Sequence, residues 1–60
     1  MDNKHRYRAV LEHKDPVLAT LEKRQGTIHM DYTYAASRKQ ATRFIENKNP
    51  NYNIVTLLED

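Results

Sequence analysis

The chain has 60 residues, a net charge of +2, one glycine and no cysteine. That length allows one domain at most, and a domain of this size buries only about 60% of its unfolded surface. Disulfides are excluded, no Cys-and-His spacing suggests a structural zinc, and one glycine is too few for a phosphate-cradling loop. The remaining routes to stability are very economical packing or association with another chain.

Residues 5–12 alternate with period two and predict a first strand. Tyr7, Ala9 and Leu11 fall on one face, and Arg6, Arg8, Val10 and Glu12 on the other. Residues 16–25 predict a helix. Asp15 can accept from a free N–H of the first turn, Pro16 follows where its missing N–H costs nothing, and Gly26 is a good stop. Val17, Leu18, Leu21 and Gln25 share one helical face. The rival reading makes 17–23 a strand, in a β-β-β-α-β order.

Residues 27–34 alternate without a slip and predict a second strand, with Ile28, Met30, Tyr32 and Tyr34 towards the core. Residues 37–48 predict a second helix, capped by Ser37, with Ala41, Phe44 and Ile45 as its apolar stripe. Asn49 ends it, because a residue before proline is pushed out of the α region. Residues 52–58 predict the last strand. Its apolar residues do not alternate cleanly: Ile54 and Leu58 lie on one side, Val55 and Leu57 on the other. A strand apolar on both faces is normally covered on both. The second cover must be helix 16–25 or another protein chain.

The expected fold is therefore a small single α+β domain over residues 1–60, with a three-stranded sheet (5–12, 27–34, 52–58) and helices 16–25 and 37–48. No apolar run is long enough for a signal peptide or a membrane span. The chain reads as a complete small cytoplasmic protein, in size and style like a bacterial or phage product.

His5, His13 and His29, with Asp31 beside His29, raise a metal hypothesis, but their spacing does not bring them together. Ser37 is better used as a cap than as a nucleophile. No catalytic residues, metal, cofactor or small-molecule substrate are expected, and an interior this small leaves little room for a substrate pocket. The expected function is non-enzymatic binding, through a protein partner or a homodimer, with Val55, Leu57 and an exposed strand edge as the contact. The alternative is nucleic-acid binding through Arg38, Lys39 and Arg43 on the second helix, helped by Arg6 and Arg8.

Overall fold

The computed structural model describes residues 3–60. Five elements follow in the order β1 (His5–His13), α1 (Pro16–Gln25), β2 (His29–Ala35), α2 (Arg38–Lys48) and β3 (Tyr52–Glu59). The strands form one antiparallel sheet in the order β2-β1-β3. The α+β expectation holds, and 16–25 is a helix, not a strand.

The local chemistry of each helix explains its limits. The Asp15 carboxylate accepts from the Val17 N–H at 2.9 Å. Gly26 closes α1 at φ 73°, a left-handed conformation that glycine adopts without steric cost. Ser37 Oγ accepts from the Gln40 N–H at 3.1 Å and so supplies one partner that the first turn of α2 lacks.

α2 lies across one face of the sheet. Tyr7, Ala9 and Leu11 of β1, Ala35 of β2, Leu57 of β3, and Ala41 and Ile45 of α2 form the core cluster. Among the described residues, four of the eight buried apolar ones are alanines: Ala9, Ala19, Ala35 and Ala41. Ile45 is the one large side chain that is fully enclosed among the described residues. Small side chains let α2 sit close to the sheet, but they remove little apolar area from water. Burial pushes the Tyr7 phenol above the usual tyrosine range, and the Glu59 carboxylate adds to this by repelling a phenolate and accepting from the phenol.

Three expectations about which face is buried are corrected. Ile28, Met30, Tyr32 and Tyr34 do not face the core; all four are exposed. In β2 the inward positions are His29, Asp31, Thr33 and Ala35, because their partners in register on β1 are the core-facing Leu11, Ala9 and Tyr7, with His5 opposite Ala35. The short link to α2 sets this phase. Ala35 is fully buried at the sheet end of that link, and the next N–H, from Ala36, donates to Gln40 Oε1 at 2.8 Å. With Ala35 inward, period two turns Met30, Tyr32 and Tyr34 outward.

In β3, a β-bulge at Val55 resets the alternation: Val10 pairs with Thr56, but Leu11 pairs with Ile54. Tyr52, Ile54 and Leu57 therefore share the covered face, while Val55 and Leu58 are exposed. In the stripe of α2, Ala41 and Ile45 are buried but Phe44 is 41% exposed.

α1 does not cover the second sheet face with its apolar stripe. Val17, Leu18 and Leu21 are exposed, and Ala19 is its one buried residue. The molecule measures 44 × 19 × 12 Å, so α1 extends it lengthwise and does not add a third layer. Its radius of gyration is 12.5 Å, against about 10 Å for a compact chain of this length. No helix among the described residues is long and apolar enough to cross a membrane.

Candidate functional site

The surface that the fold leaves over is the sheet face opposite α2. Cross-strand pairing arranges it in rows. Tyr34 lies opposite Arg6, and the Arg6 carbonyl accepts from the Asp60 N–H. Tyr32, Arg8 and Leu58 form the next row, then Met30, Val10 and Thr56. Glu12 and Asn53 pair at the far end, with Ile28 just before β2. A cleft of about 250 Å³ opens there between the sheet and α1, lined in part by Val10, Ala19, Ile28 and Val55.

The charges on this face pair within the chain. Arg6 Nε and Arg8 Nη2 reach the Asp60 carboxylate at 3.5 and 3.8 Å, and Lys23 Nζ reaches Glu12 Oε1 at 3.7 Å. Such exposed pairs contribute about 0–1 kcal/mol each. The Arg6 guanidinium lies 4.4 Å from the centre of the Tyr32 ring, within cation–π range. The result is an apolar face carrying a few weakly held charges.

The outer strand edges are less available than the sequence suggests. Tyr32 on the edge strand β2 has its N–H bonded to Asp31 Oδ1 at 2.7 Å, and its carbonyl accepts from Lys48 Nζ at 2.9 Å. On the other edge strand, the Leu57 carbonyl accepts from the Arg38 guanidinium. Side chains from both ends of α2 thus occupy backbone groups that an added strand would need. The sheet face is left more open than its edges.

Asp31 holds this arrangement together. Asn49 Nδ2 donates to its Oδ2 at 2.8 Å, and Lys48 Nζ lies 3.2 Å from the same oxygen. Desolvation pushes the Asp31 carboxyl up, but the bonds from Asn49, the Tyr32 N–H and Lys48 outweigh it and leave it below the usual aspartate range. A carboxyl depressed by folding stabilises the native state above its unfolded pKa of about 3.9, and that contribution is lost as pH falls through the folded value. Asp31→Asn should lower the melting temperature at pH 7, by the equivalent of about 1–3 kcal/mol. It should also flatten the fall in melting temperature that the native chain shows below about pH 4. Thermal melts followed by circular dichroism between about pH 3 and 7 check both effects.

The expected site residues separate. Val55 is exposed on the open face, but Leu57 is 6% exposed and belongs to the core, so its side chain is not presented to a partner. The residues of the nucleic-acid alternative lie on opposite sides of the sheet: Arg6 and Arg8 on the open face, Arg38, Lys39 and Arg43 on α2. Arg38 is tied to β3, while Lys39 and Arg43 line a shallow depression with Phe44. They do not form one basic patch.

The three histidines have separate partners. His5 Nδ1 is 3.1 Å from Glu59, His13 Nδ1 accepts from the Asp15 N–H, and His29 Nε2 is 2.8 Å from Glu22. The last distance fits a proton on Nε2, which would otherwise be a buried nitrogen without a hydrogen-bond partner. Among the described residues, no three His, Asp or Glu side chains converge on one point.

Sequence reasoning missed Met30, Tyr32, Tyr34 and Leu58 as surface. The one available signal was on β1: Val10 shares its face with Arg6, Arg8 and Glu12. No protein-family description, no curated protein and no solved structure matches this chain.

Proposed function

We propose that this chain is a small non-catalytic binding protein, and that the open sheet face is its working surface, engaged by protein contact. One observation carries the reading. Among the described residues, ten large apolar side chains are exposed, whereas four of the buried ones (Tyr7, Leu11, Ile45 and Leu57) are larger than alanine. The exposed set is concentrated: Ile28, Met30, Tyr32, Tyr34, Val55 and Leu58 all border or lie on one face. Contiguous apolar surface of this kind marks an interaction site far more often than scattered exposed residues do.

The test compares two charge insertions at exposed positions. Met30→Glu places a carboxylate in the open face. Arg43→Glu places one on α2, on the other side of the molecule. Complex formation, with its own copy or with a protein from the native host, should weaken by about tenfold or more with the first and little with the second. The opposite ranking, measured by sedimentation and by capture on immobilised protein, refutes the reading.

A second reading is favoured by one feature of the same face. Tyr32 and Tyr34 are exposed beside Arg6 and Arg8, as in platforms that stack single-stranded bases. It predicts oligonucleotide retention that falls steeply with salt and is abolished by Arg6→Ala with Arg8→Ala. The shared Asp60 partner and the position of the other basic residues on the far side weigh against it.

A further inference from the structure

We propose that the occupant of the open face is a second copy of this chain, stacked face to face about a two-fold axis through the Met30–Val10–Thr56 row. This rests on the open face being the working surface. An isologous interface must be self-complementary: what lies above the axis on one copy meets what lies below it on the other. The rows meet that condition when the axis crosses the strands at Val10. Arg8, two residues above, falls over the partner's Glu12, two residues below. Tyr32 falls over the partner's Ile28, beside the cleft that Ala19 and Val55 also line. Leu58 falls towards the partner's Val55. An axis one row higher would stack Arg8 on the partner's Arg8 and remove both from water, which like charges disfavour.

Three further observations agree. The Arg8–Asp60 and Glu12–Lys23 pairs are 3.8 and 3.7 Å long, well beyond the ~2.7–2.9 Å of a strong charge-assisted bond. Both side chains can therefore turn to a partner at little cost. The six large apolar residues at this face leave 43% to 71% of their surface in water, which is apolar area that a partner can cover. The whole chain exposes 4550 Å², against about 4100 Å² for a compact protein of its mass.

The experiment uses Arg8→Glu and Glu12→Arg chains, each alone and mixed in equal amounts, with sedimentation velocity for mass and circular dichroism for fold. The native chain should be a dimer. Each variant alone opposes like charges at both symmetry-related contacts and should dimerise about tenfold or more weakly. The mixture opposes unlike charges at both contacts and should recover the dimer. Ties within one chain cannot produce that recovery, because mixing does not restore them. If either variant unfolds alone, recovery of helical signal together with dimer mass on mixing is the same positive result.

A native chain that stays monomeric at about 100 µM overturns the proposal. So does a mixture no more associated than its components. If the native chain is monomeric but Met30→Glu still abolishes capture of another protein, the open face survives as a working surface and only self-pairing fails. If Met30→Glu changes nothing, both fail.

Discussion

Ile45→Ala should lower the urea midpoint of this chain by about half or more. Truncating a buried isoleucine costs about 2–5 kcal/mol, made up of the lost transfer energy and the cavity left behind. The cost falls at the upper end where neighbours cannot collapse into the gap. Here the neighbours are short: Ala41 lies one turn away on α2, and Ala9 and Ala35 belong to the same cluster on the sheet. Alanines have no rotamers with which to fill a void. A 60-residue domain has a total stability of roughly 3–9 kcal/mol. One substitution therefore removes about half of it or more, and it also loosens α2, whose Arg38 and Lys48 occupy the two sheet edges. Phe44→Ala, one position earlier on the helix but partly exposed, should cost only about 1 kcal/mol. Urea titrations of both variants, followed by helical circular dichroism, measure the contrast.

The order and limits of the elements were readable because each carries its own local signal. Asp15-Pro16 and Gly26 bracket α1, and Ser37 and Asn49 bracket α2. What could not be read was the side of the sheet that each strand presents. Period two establishes that β2 has two unlike faces, but it does not say which one α2 will cover. The natural assumption puts Met30, Tyr32 and Tyr34 inside. It fails because the choice is made elsewhere, by Ala35 and the tight connection into α2, and by Asp31, whose inward carboxylate is held by Asn49 and Lys48. The mixed pattern of β3 had a related cause. Its two-sided apolar character came in part from an extra residue at Val55 that shifts phase in mid-strand. From the sequence alone, a bulge and a strand buried on both faces look the same. The candidate surface was hidden by these two phase errors. The two-sided apolar character of residues 52–58, by contrast, is legible in the sequence and already implies a face that one helix leaves uncovered.

The melting temperature of this protein should rise with its concentration. A dimer that unfolds to two separate chains obeys mass action, so dilution favours the unfolded chains. A tenfold change in concentration corresponds to about 1.4 kcal/mol. Set against the unfolding entropy of a 120-residue pair, this is about 5 °C per tenfold step. Melts from about 1 to about 100 µM should then span roughly 10 °C. A self-sufficient monomer would show none of this. The reason to expect the shift lies in the distribution of apolar groups. Within one chain, α2 and the sheet enclose Ile45 and half-fill the remaining interior with alanines. Tyr32, Met30, Leu58 and Val55 leave about half of their surface in water within one chain. Covered by a partner, each would add apolar burial at about 25 cal/mol per Å², and the tyrosine rings would add the most. Met30→Glu should remove the concentration dependence along with the dimer, leaving a low, flat melting temperature. If that variant melts as the native chain does at every concentration, the open face does not contribute to holding the fold together.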